Sequence, residues 1–227
     1  IKLYEKNEIA MCGRRYNTLN TIARVDRAKV ELYGYDMESA LQTILYSLLK
    51  DRIDMSWTQN YISNKQLVRE EMAKLFKLPL DEVKMEITAI YQGRWFNPDI
   101  HPMHQQLEKL FSEVKEVQNY FYKTHWKKSK DELEVYKYAR KRTKDKYPDT
   151  TSIRNIKVTF LFFCWTYYER KIQDVMYKYI PNSLPLHDAV YTQSKDLPSI
   201  EFLEAKIAEE TGISMLLGVD NTRQLVQ

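Results

Sequence analysis

Apolar positions along the chain recur mostly at helical spacing, with short alternating runs between them. Val30-Glu31-Leu32-Tyr33-Gly34-Tyr35-Asp36 alternates as a strand does and ends on a carboxylate. Leu41, Ile44, Leu45 and Leu48 then fall on one face of a helix expected over 39–49, so Asp36 sits at a strand-to-helix corner. Asn64 to Phe76 is amphipathic, and Leu78-Pro79-Leu80-Asp81 interrupts it. Asp81 is the expected N-cap of a further helix running to about Tyr91, with Gly93 as its stop. Helical pattern resumes over 104–122, 130–146 and 156–179, the last apolar at first and more polar later. Pro181-Asn182-Ser183 is a turn, Leu184 to Thr192 a strand pair or bent strand, and Ile200 to Thr211 a helix stopped by Gly212 before a strand over 213–219. Ile1 to Tyr16 reads as extended or looped. The pattern defines an α+β chain: a small sheet carrying carboxylates, covered by many helices.

Composition agrees. The 227 residues suffice for one large domain or two small ones, and 44% hydrophobic with 29% charged residues is globular rather than disordered. Five Gly and seven Pro argue against a turn-rich β-sandwich. The net charge of +4 is a weak sign of nucleic-acid binding, but its distribution says more. Lys127, Lys128 and Lys130, then Arg140, Lys141, Arg142, Lys144 and Lys146, concentrate charge mid-chain, with Tyr120, Tyr122, Trp126, Tyr136, Tyr138 and Tyr147 interleaved. Such a run fits either a solvated helix face or a nucleic-acid surface. Cys12 and Cys164 form no zinc pattern, and Cys164 lies in an apolar run as a buried thiol would. Val158 to Trp165 is too short to span a membrane, and no signal peptide is visible.

Asp36 and Asp188 are the pair with the most chemical potential. Two carboxylates on neighbouring strands can bridge the two divalent cations used in phosphoryl transfer, and Mg²⁺ favours such oxygen ligands. Taken singly, an Asp at a strand end is more often a cap or turn residue.

The order of short elements along the chain resembles a known pattern. Asp36-Met37-Glu38-Ser39-Ala40 resembles motif A of the family A DNA polymerases and of the single-subunit phage and mitochondrial RNA polymerases. His187-Asp188 between apolar residues resembles motif C of that superfamily, a hairpin bearing a His-Asp pair. Lys84, with Gly93 nine residues later, resembles the Lys-to-Gly spacing of motif B. Gly13-Arg14-Arg15-Tyr16 resembles the Gly-Arg-x-Tyr element upstream of motif A in the RNA polymerases. Four elements in the right order are far more specific than any one of them.

The resemblance implies a small antiparallel palm sheet with helical fingers. Asp36 and Asp188 would hold two Mg²⁺ ions, or Mn²⁺ in their place, with the Met37 carbonyl as a further ligand. Lys84 would face the incoming triphosphate and assist pyrophosphate departure. Tyr91, Gln92, Gly93 and Leu41 would border the nucleotide, and His187 would pack near the primer end. Arg14, Arg15, Tyr16 and Arg69 would contact template or product, as would Glu169 from Tyr167-Tyr168-Glu169. Three segments follow: a palm part over 1–63, a fingers-like region over 64–155 and a second palm part over 156–227.

Departures from the pattern bear on substrate choice. The Tyr before the motif B Gly is Gln92 here, with Tyr91 one place earlier, and Leu80 replaces an Arg one turn before Lys84. Leu41 stands where the DNA polymerases carry a Glu that blocks a ribose 2′-OH, and Ala10 replaces an acidic residue of the upstream element. The expected activity is DNA-templated synthesis, with RNA favoured over DNA as product. The alternative is a non-catalytic nucleic-acid-binding subunit on a degenerate palm. The expected partners are template, primer or product, and nucleoside triphosphates, without a membrane. The expected location is the cytoplasm, or another intracellular setting if phage- or plasmid-encoded. The chain starts at Ile1 and only 35 residues precede Asp36, which leaves no room there for a thumb, so a minimal enzyme or a piece of a larger one is expected. His101 and His104 have metal-like spacing but lack a third ligand, Glu38 is a possible helper at the metals, and Glu201 and Glu204 read as solvated helix charges.

Overall fold

The computed structural model describes residues 3–4, 16–17, 32–93, 105–127, 133–149, 152–186 and 188–219. The fold is α+β and mostly helical, with one four-stranded antiparallel sheet. In chain order the elements are β1 (Leu3–Tyr4), β2 (Tyr16–Asn17), β3 (Tyr33–Met37), α1 (Ala40–Leu49), α2 (Ser56–Ser63), α3 (Lys65–Phe76), α4 (Leu80–Tyr91) and α5 (Gln105–Phe121). A π-helical turn (Tyr122–Trp126) follows, then α6 (Glu134–Lys146), α7 (Ile153–Tyr179), β4 (Leu184–Leu186), β5 (Ala189–Thr192), α8 (Ile200–Thr211) and β6 (Leu217–Val219). Among the described residues, no helix is long and apolar enough to cross a membrane.

The chain forms two compact units. One comprises Ile1–Ser47 and Trp165–Gln227, the other Leu48–Cys164. The divisions fall inside α1 and α7.

In the first unit the sheet order is β4-β5-β3-β6, so β3 is interior and paired on both sides. β5 pairs with it from Tyr33↔Thr192 to Asp36↔Ala189, and β6 from Tyr35↔Val219 to Met37↔Leu217. β4 and β5 form a hairpin, resolving the strand pair or bent strand expected there. The alternation of β3 puts Tyr35 and Met37 on one face and Gly34 and Asp36 on the other. The Tyr35 hydroxyl donates to the Pro198 carbonyl at 2.7 Å, so the Tyr35 face lies under the segment leading into α8. Glu204 of α8 accepts from the Leu217 backbone N–H at 2.8 Å, which ties α8 to β6. Glu204 is thus a structural contact and not the solvated charge expected. On the opposite face Leu32, Ala189 and Tyr191 form a small buried cluster.

The corner after β3 is tightly held. Ser39 takes a left-handed φ of 48°, which is uncommon outside glycine and marks local strain. The Glu38 N–H donates to Leu216 O at 2.8 Å, and the Thr43 hydroxyl donates to Glu38 O at 2.9 Å. The chain therefore turns sharply from strand to helix within three residues of Asp36.

The second unit is helical. Its α2 is an element that the sequence pattern does not announce, because Trp57, Thr58 and Tyr61 are its buried residues and only two of these are apolar. At α4 the N-cap is Pro79; Asp81 and Glu82 lie in the first turn instead, where carboxylates complement the helix dipole. Gly93 does stop α4, with φ 88°. A Cβ there would also come within 2.4 Å of Val158 Cγ2, so backbone and packing both require glycine. Cys164 is buried and free as expected, and burial pushes its thiol pKa well up. At the C-terminal end the strand expected over 213–219 is shorter than the pattern, with Leu217–Val219 alone paired.

Candidate metal centre and surrounding site

β3 and the β4–β5 hairpin bring the two Asp residues to neighbouring backbone positions. Asp36 is the next-to-last residue of β3, and Asp188 lies at the turn between β4 and β5. The Met37 N–H donates to Asp188 O at 3.1 Å, one step beyond the Asp36↔Ala189 pair. As whole residues both Asp36 and Asp188 are half-buried, and Oδ1 of Asp36 is buried.

The register sets small residues directly opposite Asp36. Its direct cross-strand partners are Ala189 on β5 and Gly218 on β6, two of the smallest residues. Direct partners share a face, and Tyr191 of β5, opposite Gly34, is the diagonal neighbour on that face. Glu38, two residues on, extends over Gly218: a Cβ on Gly218 would come within 2.5 Å of Glu38 Oε1. Glu38 thus borders the same face. Carboxylate oxygens are the type of donor Mg²⁺ takes, and Mg²⁺ commonly keeps water and substrate phosphates in its shell beside one or two protein carboxylates. Among the described residues, no three His, Cys, Asp or Glu side chains converge as a metal-holding group.

The remaining sequence-predicted residues divide between the units. In the first, Leu41 is buried in the core at 6% exposure, Met37 at 1%, and Glu169 at 2% on α7. Leu41 and Glu169 therefore belong to the interior in this conformation and present no open surface to a sugar or a strand. Tyr16 lies in β2, which pairs with β1 through Tyr4↔Tyr16 and approaches β4. Arg14, Arg15, His187, His101 and His104 lie outside the described residues.

In the second unit Lys84 is exposed on α4 and Gln92 is exposed at that helix's C-cap. Arg69 is engaged locally, with Nε and Nη2 donating to the Tyr61 hydroxyl at 2.9 and 2.6 Å. Tyr91 is 2% exposed and hydrogen-bonds the Thr58 hydroxyl, so it is a core group and not a nucleotide platform here.

The Tyr91 bond belongs to a buried relay that sequence reasoning missed. Glu113 of α5 accepts from the Trp57 N–H at 3.0 Å and the Thr58 N–H at 3.2 Å, and the Thr58 hydroxyl also donates to it. A hydroxyl has one hydrogen, so Tyr91 donates to Thr58 and Thr58 to Glu113. Glu113 thereby caps the first turn of α2 from another helix, where Met55 at the N-cap makes no side-chain bond. One cue was available: Glu113 falls on the stripe Leu107, Leu110, Val114, Val117 and Phe121, an acidic residue on an apolar face.

Burial raises the Glu113 pKa above the ordinary 4.5, outweighing the hydrogen bonds that lower it. The folded state then binds the proton more tightly than the unfolded one, so this group's contribution to stability falls as pH rises through the interval above 4.5. Glu113→Gln should be less stable by about 1–3 kcal/mol, since an amide cannot accept all three bonds. The stability difference between wild type and Glu113→Gln, from urea titrations at pH 4 to 8, should shrink as pH increases. A gap that widens with pH contradicts the assignment.

No protein-family model matches this chain, and no curated protein matches it.

Proposed function

We propose that this chain is a template-directed nucleic-acid polymerase that extends a 3′-OH, with a DNA template and ribonucleotides favoured. The observation that carries the reading is the pairing of β3 with β5, which sets Asp36 beside the Asp188 turn although the two are far apart in sequence. The motif order supports it: a strand with Asp next to its end, a strained turn into a helix, a Lys-to-Gly helix, and a hairpin with Asp at its turn.

Asp36 and Asp188 would hold Mg²⁺ or Mn²⁺, which when bound neutralises phosphate charge and lowers the pKa of the attacking 3′-OH. Within the protein, Asp36 is fixed by its interior strand and Asp188 by the hairpin turn. Lys84, exposed on α4, would attract the triphosphate. Glu38 would add negative potential beside Asp36.

The test is an extension assay on a primed DNA template with Mg²⁺ or Mn²⁺, ribonucleotides and deoxyribonucleotides being supplied separately. Template-dependent product with ribonucleotides is the expected result. Product with deoxyribonucleotides alone reverses the sugar assignment. If neither set gives product while the protein still binds the primed template, the catalytic reading fails.

A further inference from the structure

The second unit carries a basic and aromatic surface that none of the motif residues uses. On α6 there are six Lys or Arg against two acidic residues. Lys137, Lys141 and Lys144 fall at i, i+4 and i+7, so they share one face, and all three are exposed. Val135, Ala139 and Arg142 fill the opposite, buried face. At 1.5 Å per residue the lysine stripe is about 10 Å long.

The stripe ends at a cleft of about 470 Å³ whose walls include Trp126, Tyr147, Pro148 and Ile156, with Lys144 at its edge. Trp126 belongs to the π-helical turn. Tyr122 and Trp126, four apart in this turn, stack with their planes 16° apart. Lys127 and Lys157 each lie 5.4 Å from the Tyr122 ring, and Lys146 lies 5.3 Å from the Tyr147 ring. The aromatic groups are therefore flanked by ammonium groups on several sides, and among the described residues Asp145 is the one carboxylate lining the cleft. π turns of this kind occur often at functional sites.

We infer that this surface binds single-stranded nucleic acid, with a base entering the cleft between Trp126 and Tyr147 and the neighbouring phosphates lying along Lys144, Lys141 and Lys137. A base offers a flat π face and a strand offers regularly spaced anions, which are the two things this surface complements. Duplex DNA keeps its bases stacked and cannot fill the cleft. The inference deepens the polymerase reading by naming where an unpaired strand runs, but it is read by binding and not by synthesis. A chain that binds single strands through this surface and extends nothing would sink the polymerase reading alone.

The experiment uses the full chain and a fluorescein-labelled 15-nucleotide oligo(dT), followed by anisotropy over a series of salt concentrations. Reversing Lys137, Lys141 and Lys144 to Glu together should weaken binding by about 10-fold or more at low salt. It should also flatten the log–log salt dependence by about 2, as loss of three phosphate contacts requires. The same reversal at Lys50, Lys74 and Lys109, exposed on other faces, should have a much smaller effect. Trp126→Phe retains an aromatic ring against Phe160 and should fold, and it should abolish most of the tryptophan quenching that the oligonucleotide causes in wild type. Unchanged affinity and salt slope in the triple-Glu protein overturn the lysine track. Unchanged quenching in Trp126→Phe overturns the base-binding cleft. Duplex DNA binding as tightly as the single strand overturns the preference for unpaired nucleic acid.

Discussion

Asp188→Asn and Asp36→Asn should each bind a primed template as wild type does and extend it about 10³-fold more slowly, or not at all. The estimate follows from the cost of removing one preorganised electrostatic contact at a reacting centre, about 10²–10³-fold, and is larger where the group also holds an ion. Asn keeps the shape of Asp but has no charge and is a poor ligand for a hard cation. Both substitutions keep the backbone pairing that builds the sheet here. Asp36 is held in β3 by backbone pairing on both sides, and Asp188 engages Met37 through its carbonyl, which Asn also has. Circular dichroism and thermal melting should therefore be near wild type, which separates chemistry from folding. Substitutions that leave the extension rate within a few-fold of wild type would remove these carboxylates from any catalytic role.

Gly34→Ala should give the largest loss of stability among single-methyl changes in the sheet. A Cβ at Gly34 would lie 2.2 Å from Val190 O, 2.9 Å from Tyr191 Cδ1 and 3.0 Å from Tyr191 Cα. Two of these three are backbone atoms of β5, so no rotamer change relieves the clash. β3 and β5 must separate or slide, which costs about 3 kcal/mol and lowers Tm by about 6–12 °C. The displaced interface is the one that sets Asp36 beside Asp188. Extension should therefore fall even at temperatures where Gly34→Ala remains folded, through kcat more than through KM for nucleotide. A melting temperature within 2 °C of wild type would show that the strands accommodate the methyl group.

Much of the local structure was legible in the sequence. The alternation ending at Asp36, the apolar stripe of α1, the stop at Gly93 and the stop at Gly212 all follow from periodicity and from residues suited to left-handed backbone. Where the expectation missed, a tertiary partner did the work that sequence signals assign to local ones. The start of α2 is capped by Glu113, a residue far along the chain, so no N-cap motif announces it. Tyr91 and Leu41 looked available for a nucleotide because residue type says nothing of which way a helix face turns; each is buried in its own unit.

The sequence by itself determined the inventory: two Asp residues at strand-end positions, a Lys-to-Gly helix, and a mid-chain run of lysines among aromatics. Spacing and residue chemistry are local properties, and the chain displays them directly. Only the tertiary structure decided which members of the inventory meet. The β3–β5 register sets Asp36 opposite Ala189 and next to Asp188, and β6 supplies Gly218 on the other side. A shift of one residue would turn Asp36 to the opposite face. Register over so long a separation is set by burial of Leu32, Ala189 and Tyr191 on one face and Tyr35 and Met37 on the other, a balance of packing that no window of sequence contains.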